Sequence, residues 1–271
     1  MAIAAAARPR TAATAGRTAA ILGLDTPTGA YLARLLLARG YRVAGTAAAP
    51  VTGLATLGVA DQVALYADLG AALQTIPAEI YDLRGPGPAR AADTAALLAL
   101  IDGRPVRLFS AGPGPAPDEA AASIEKARQN NIFAVTGRMF AHESRLSPNA
   151  SPVTRIVTAL AADTDLDASD LAAAADYGWT AEYVDPMWRM LQQTSAADVV
   201  IATGRLLSGA DVARHAAEYF GRELASRGLP APVTAASPGD PAPARQALGW
   251  SAATWDRDLV RLLCEGAAER G

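Results

Sequence analysis

The residues whose types and spacing could support chemistry begin with a glycine turn near the start of the chain. It runs from Gly23 to Gly29, as Gly-Leu-Asp-Thr-Pro-Thr-Gly, after the short apolar stretch Thr18–Leu22. A turn that binds a dinucleotide needs three small residues, which let the backbone turn, approach the pyrophosphate and pack the helix on the strand. Gly23 and Gly29 suit the first and third places. Thr26 stands in the middle place, where its Cβ would crowd a phosphate.

Two further residues of this turn disfavour a bound phosphate. Asp25 places a negative charge in the loop, and at ~4 Å and an effective dielectric of about 20 such a repulsion is of order 4 kcal/mol. Pro27 removes one backbone N–H from the start of the helix. The end of the second strand would supply an acid for NAD or an arginine for NADP, but Thr46–Ala49 contains neither. These residues predict a Rossmann-like turn that binds no dinucleotide.

Three other groups could support acid–base or nucleophilic chemistry, and each pattern favours a structural role. His142 and Glu143 are adjacent, so on an extended segment they point to opposite faces. His215 and Glu218 lie one helical turn apart, which is typical of a solvated helix face. Cys264, the only cysteine, is expected to be a small buried hydrophobe, and it excludes an internal disulfide.

The elements that must position these residues alternate along the first half of the chain. Short apolar runs predict strands at Thr18–Leu22, Tyr41–Gly45, Gln62–Tyr66, Glu79–Tyr81, Val106–Phe109 and Ile132–Val135. Helical spacing predicts helices at Thr28–Arg39, Ala71–Ile76 and Ala91–Ile101 between them. This alternation predicts an α/β fold with a Rossmann-like, doubly wound parallel sheet.

The pattern changes after about residue 148. Helices are predicted at Val153–Ala162, Ala181–Gln193, Asp211–Phe220 and Trp255–Ala268, with one strand at Asp198–Ala202. The acidic run Asp163–Asp170 lacks the glycine and glutamate of a calcium loop and is expected to be a solvated linker. We therefore expect a disordered leader over residues 1–17, a Rossmann-like domain over 18–150 and a smaller C-terminal α/β cap over 151–271, with an interleaved boundary.

Composition excludes several classes of function. The chain has 271 residues, with 24 basic and 27 acidic side chains and a formal charge of −3. This near balance predicts no nucleic-acid partner, since it gives no polybasic surface. No apolar run approaches the ~20 residues that span a bilayer, and no multi-cysteine metal site is available. A cytoplasmic protein without a metal is the expectation.

Four segments together resemble the GDP-mannose 4,6-dehydratases, a branch of the extended short-chain dehydrogenases/reductases. They are Ala20–Val43, which includes the glycine turn; Ile132–Ser144 with the Val-Thr-Arg at 153–155; Tyr177–Gly204; and Gly239–Trp250. The resemblance implies a Rossmann fold, bound NADP, and water loss from GDP-mannose through transient oxidation. It also implies a Tyr-x-x-x-Lys pair, in which the lysine lowers the pKa of a tyrosine that acts as acid and base.

The chain departs from the residues that the resemblance implies. Lys126 is its only lysine, and Ala122 stands four residues before it. The Ser/Thr and Glu expected after the fifth strand are replaced by the Gly/Pro-rich segment 112–117. Ala141 and Ala175 stand where the family has a substrate-binding asparagine and arginine. Vestigial cofactor contacts would be Gly23, Thr26, Gly29 and Asp68, and vestigial substrate contacts would be His142, Glu143 and Arg155.

These departures predict a non-catalytic family member, a scaffold or accessory subunit without a bound cofactor. Two alternatives stay open: a non-redox lyase or isomerase that uses the old cavity, and an active dehydratase that retains NADP. The resemblance further implies oligomerisation through the helices at 91–101 and 119–130. We expect a protein partner or a second copy of the chain to cover their apolar face.

Overall fold

The computed structural model describes residues 16–73, 77–85, 87, 89–114, 119–224 and 236–270. The chain forms two compact units that interleave along the sequence. The first comprises Met1–Met139, Val184–Ile201 and Ala242–Trp250; the second comprises Phe140–Tyr183, Ala202–Pro241 and Ser251–Gly271. Most of the expected leader, residues 1–15, lies outside the described residues. Gly16 donates a backbone hydrogen bond to Gly40, and Arg17 accepts one from Arg42.

The helices and strands follow the predicted alternation. In chain order the described strands are β1 Thr18–Leu22, β2 Arg42–Thr46, β3 Val63–Tyr66, β4 Glu79–Asp82, β5 Arg107–Pro113, β6 Phe133–Met139, β7 Ala141–Glu143, β8 Ala174–Ala175, β9 Tyr177–Trp179, β10 Val199–Ile201 and β11 Leu207–Ser208. The described α-helices are α1 Pro27–Ala38, α2 Thr52–Thr56, α3 Leu69–Ala72, α4 Arg90–Ile101, α5 Glu119–Gln129, α6 Pro152–Ala162, α7 Ala168–Ala172, α8 Thr180–Leu191, α9 Gly209–Phe220, α10 Ala242–Leu248 and α11 Asp256–Ala268.

A seven-stranded parallel sheet forms the centre of the first unit, in the order β10-β6-β5-β4-β1-β2-β3. From β1 the chain adds β2 and β3 toward one edge of the sheet, and from β4 it adds β5, β6 and β10 toward the other edge. The crevice between the carboxyl ends of β1 and β4 is therefore the switch point, where open α/β sheets bind ligands. The predicted α/β class with a doubly wound sheet is confirmed.

One face of this sheet is buried beneath α4 and α5. The apolar cluster there includes Leu22, Ile80, Leu97, Leu108 and Ile124. At roughly 1.5–3 kcal/mol for each large apolar side chain removed from water, such residues supply much of the stability of this unit. The apolar cluster therefore holds α4 and α5 against the sheet and fixes the carboxyl ends of β4 and β5 beneath them.

The second unit is built on three packed helices, α6, α9 and α11. Their shared core contains Val157, Val212, Leu263 and the fully buried Cys264. Burial raises the pKa of the Cys264 thiol to about 12, which suits the predicted structural role. Two short strand pairs, β7 with β9 and β8 with β11, complete this unit. The smaller C-terminal α/β cap was thus predicted correctly in its class.

Two local expectations were wrong. The acidic run that we expected to be a solvated linker folds in part as α7, and its Asp170 is buried. The second predicted helix, Ala71–Ile76, corresponds to α3, which instead begins at Leu69 and ends at Ala72, and residues 74–76 lie outside the described part. In both places side-chain capping set the helix: Asp167 caps α7 by accepting from Ser169, and Asp68 caps α3 by accepting from Ala71.

Candidate functional site

The glycine turn that follows β1 has the geometry of a tight strand-to-helix connection. Gly23 has φ +100°, in the region that favours glycine. A Cβ on Gly29 would lie 2.2 Å from the carbonyl oxygen of Gly23, so only glycine lets α1 pack this closely on the strand end. The first and third small positions predicted from the sequence therefore serve the fold directly.

Thr26 closes this turn on itself. Its hydroxyl donates to the carbonyl of Gly23 at 2.7 Å and accepts from the backbone N–H of Gly29 at 3.0 Å, which makes it the N-cap of α1. Pro27, the first residue of the helix, has no N–H to offer. Among the first three residues of α1, the N–H of Gly29 is thus already bonded within the chain and Pro27 has no N–H to donate.

The residues that end or follow β2 and β3 also have structural roles. Thr46 ends β2 and accepts backbone hydrogen bonds from Gly23 and Leu24, and the following Ala47–Ala49 carries no charged or hydroxyl side chain. Asp68, which the sequence analysis assigned as a vestigial cofactor contact, is exposed, and its carboxylate accepts from the backbone N–H of Ala71 at 2.8 Å.

At the switch point lies a buried charge cluster that the sequence analysis did not identify. The fully buried Asp82 ends β4, and its carboxylate accepts two hydrogen bonds from Arg84, both at 2.9 Å. Arg90, at the start of α4 and itself buried, approaches the same carboxylate at 2.7 Å and donates to the hydroxyl of Ser110 at 2.8 Å. A Cβ on Gly23 would lie 3.5 Å from the backbone nitrogen of Arg84, so this cluster adjoins the glycine turn.

The charge state of Asp82 follows from its two arginines. Burial by itself would raise the pKa of this carboxyl, but the hydrogen bonds from Arg84 and the charges of Arg90 and Arg84 hold the pKa below its usual value. Asp82 is therefore ionised and paired near neutral pH. No spacing rule marks this cluster, because Asp82 and Arg90 belong to different elements and meet only through the fold.

The helix expected to carry the acid–base pair has no such pair. On α5, Ala122 and Lys126 are both exposed. The chain has no tyrosine between Tyr81 and Tyr177, so none precedes this lysine on the helix. After β5, the carbonyl of Gly114 accepts a hydrogen bond from Arg138 at 2.8 Å.

In the second unit, His142 and Glu143 have different partners, as their alternation on β7 predicts. The Nδ1 of His142 lies 2.8 Å from the carbonyl of Phe140, and the ring stacks on Tyr183 at 5.0 Å. Burial lowers the pKa of His142, so its imidazole is neutral at neutral pH. Burial raises the pKa of Glu143, and hydrogen bonds from the hydroxyls of Ser147 and Ser151 oppose that rise.

Arg155, assigned from the sequence as a vestigial substrate contact, is paired within the chain. Its Nε donates to one carboxylate oxygen of Asp170 at 2.8 Å, and a terminal nitrogen donates to the other at 2.5 Å. A third nitrogen donates to the carbonyl of Ala150. Asp170 is buried, so the guanidinium of Arg155 already has a bidentate carboxylate partner within the chain.

Asp176 is a second buried carboxylate that the sequence analysis did not assign. It accepts from the backbone and the hydroxyl of Thr203, at 2.9 and 2.5 Å, and from the backbone of Gly204 at 2.9 Å and of Gly239 at 3.1 Å. One side chain therefore ties together two loops that are 35 or more residues apart. The run of four alanines before it gives no hint of this role.

Two further findings concern metal ions and membranes. Within the residues that the structure describes, no three His, Cys, Asp or Glu side chains are grouped to hold a metal ion. In the same part of the chain, no helix is both long enough and apolar enough to cross a membrane.

Comparison with solved structures places this fold in a class. The dTDP-glucose 4,6-dehydratase from Bacillus anthracis, solved with NAD, superposes with a TM-score of 0.82 at 9% identity over 94% of this chain and 97% of that one. The UDP-glucuronic acid 4-epimerase from Bacillus cereus, solved with UDP-glucuronic acid and NAD, gives 0.79 at 14% identity, over 94% of this chain and all of that one. The doubly wound sheet with its interleaved second unit is that of the extended short-chain dehydrogenases/reductases.

Sequence comparison narrows the class to one family. The family model for GDP-mannose 4,6 dehydratase matches residues 120–263, more than half of the chain, and the chain belongs to that family. The GDP-mannose 4,6 dehydratase 2 of Caenorhabditis elegans is 36% identical over 103 residues, which are 36% of this chain and 27% of that protein. The enzyme of Sinorhizobium fredii (strain HH103) is 34% identical over 167 residues, 51% of this chain and 46% of that protein. The chain thus matches less than half the length of these two relatives.

Proposed function

We propose that this chain is a non-catalytic member of the GDP-mannose 4,6-dehydratase family, retained as a scaffold or accessory subunit. One observation carries the proposal: α5 presents Ala122 and Lys126 to solvent where the family chemistry needs a tyrosine and a lysine. Without a residue that can accept and return the proton of the sugar hydroxyl, transient oxidation has no acid–base catalyst.

The residues of the glycine turn do not suit a dinucleotide. A pyrophosphate at a helix N-terminus is held by free backbone N–H groups. Here the hydroxyl of Thr26 already accepts from the N–H of Gly29, and Pro27 has none. A phosphate would have to displace the cap, and Asp25 would oppose it by charge. We therefore propose that the chain binds neither NADP nor NAD at this turn.

The test is a binding and turnover assay on the full chain. We expect no saturable heat with NADP or NAD by titration calorimetry up to 1 mM, and no conversion of GDP-mannose in the presence of NADP. The Sinorhizobium fredii relative, assayed in parallel, is the positive control. Saturable NADP binding together with turnover would establish the active dehydratase instead. Conversion of GDP-mannose without added or bound dinucleotide would establish the non-redox alternative.

We further propose that α4 and α5 form the surface through which the chain associates with a second copy. The exposed face of α4 carries three alanines, Ala92, Ala96 and Ala99. Leu100, which follows them, is 43% exposed. Small side chains allow another helix to approach closely, and an exposed apolar face favours association.

Light scattering tests this surface. We expect twice the 27.8 kDa chain mass for the wild type and the single-chain mass for Ala96→Glu, because the new carboxylate would be buried without a partner. Ala48→Glu, an exposed alanine after β2, is the matched control and should leave the mass unchanged. A monomeric wild type would contradict the proposal.

A further inference from the structure

A polar cavity of about 350 Å³ is lined entirely by residues of the second unit, and neither His142 nor Glu143 is among them. The strand β9, the loop that begins at Thr203, the helix α9 and the start of α11 form its walls. The lining residues are Tyr177, Thr203, Arg205, Leu206, Leu207, Asp211, Arg214, His215, Trp255 and Asp256. Nothing in the proposed function uses this cavity.

The cavity contains one cation without an internal carboxylate. The guanidinium carbon of Arg205 lies over the ring of Trp255, 3.7 Å from its centroid, and this cation–π contact restricts the position of the side chain. Among the described residues no carboxylate pairs with it, whereas Arg214 pairs with Asp211 at 2.5 Å. A planar guanidinium that is held by stacking and keeps its N–H donors available suits a carboxylate or a phosphate.

Two carboxylates, Asp211 and Asp256, also line the cavity and can accept hydrogen bonds. One carboxylate oxygen of Asp256 lies 3.1 Å from the Nε2 of His215, and the side chain of Asp256 is 46% exposed. Asp211 accepts from Arg214 and from the hydroxyl of Ser208, and its side chain is 35% exposed. Carboxylates beside the cation would repel an anion of high charge but would accept from the hydroxyl groups of a ligand.

We propose that this cavity binds a small polyhydroxylated anion, such as a sugar phosphate or a sugar acid. Arg205 holds the anionic group, Asp256 and Asp211 accept from the hydroxyl groups, and the apolar surfaces of Tyr177 and Leu207 contact the carbon skeleton. The volume is sufficient for one monosaccharide with one anionic substituent. The site is independent of the proposed loss of NADP binding.

Titration calorimetry on the full chain tests the proposal with three probes: glucose 6-phosphate, glucuronate and uncharged glucose. We expect the two anions to bind with a Kd of ~1 mM or tighter, and glucose to bind at least about tenfold more weakly. Binding of one anion alone would still support the site and would identify the group that Arg205 prefers. No saturable binding of either anion up to 10 mM would overturn it.

Two variants separate this cavity from other cationic surfaces. Arg205→Gln removes the stacked cation and should weaken anion binding at least about tenfold. Arg257→Gln is the matched control, because Arg257 is exposed on α11, pairs with Glu218 and does not line the cavity. Equal Kd values for the wild type and Arg205→Gln would overturn the proposal, and circular dichroism of both variants checks that they fold.

Discussion

Replacement of Asp82 by Ala should lower the free energy of unfolding by about 3–5 kcal/mol, because the buried cation of Arg90 would lose its carboxylate. Asp82 is fully buried, and the side chain of Arg90 is only 4% exposed. Little solvent can therefore replace the lost charge. Urea denaturation followed by circular dichroism measures the change. Asp93→Ala is the matched control: this aspartate is 50% exposed and lies 3.5 Å from Arg84, and its loss should cost less than about 1 kcal/mol.

A double variant distinguishes an unpaired charge from lost packing, and it covers the case in which Asp82→Ala fails to fold. Asp82→Leu combined with Arg90→Met removes the two buried charges and leaves side chains of similar length, while Arg84, which is 31% exposed, keeps Asp93 as a partner at 3.5 Å. It should recover most of the lost stability, since apolar replacement of a whole buried pair is often neutral. A double variant as unstable as Asp82→Ala would show that charge pairing is not the cause.

The same carboxylate predicts part of the acid sensitivity. The folded-state pKa of Asp82 is held below the unfolded value near 4, so the pair contributes its stability above that pH and loses it as pH falls through the folded pKa. The stability of the wild type should therefore fall more steeply below pH 4 than that of the double variant. Parallel acid slopes for the two proteins would contradict the assignment.

Local sequence signals predicted the frame of the first unit closely. β1 has the predicted bounds, Thr18–Leu22, and α1 begins one residue before the predicted start, since Pro27 is favoured at the first helical position. Local signals did not predict the end of β5, which was expected at Phe109, whereas the strand continues to Pro113. Residues 110–113 have no strand periodicity, and they are extended because they pair in register with β6 from Thr136 to Met139.

The candidate site shows the same division between local and long-range signals. The turn residues Gly23, Thr26 and Gly29 could be assigned from spacing, although the sequence suggested only that Thr26 would crowd a phosphate. The structure adds that its hydroxyl caps the helix. Asp82 and Asp176 gave no signal, because each carboxylate meets donors from another element of the fold: Arg90 of α4 for Asp82, and Thr203, Gly204 and Gly239 for Asp176. Their positions became predictable only once the sheet order and the loop arrangement were known.

Asp176→Asn should lower the free energy of unfolding by about 3 kcal/mol, the largest effect that we expect from a single substitution in the second unit. The carboxylate accepts four hydrogen bonds, from Thr203, Gly204 and Gly239. An asparagine has one accepting oxygen, so its NH₂ group would face backbone N–H donors and leave them buried without a partner. The exposed Asp165→Asn in the same unit is the matched control and should change stability by less than about 0.5 kcal/mol.

This substitution also tests whether the loops of the second unit depend on one carboxylate for their positions. Hydrogen exchange should quicken at the amides of Thr203, Gly204 and Gly239 in Asp176→Asn and not in Asp165→Asn, because only the former loses the acceptor. Arg205 directly follows Gly204, so loosening of this loop should also weaken anion binding at the cavity. Unchanged exchange at all three amides would show that packing, rather than Asp176, holds the loops. Increased exchange with an unchanged stability would mean that the loops open locally without contributing to the unfolding free energy.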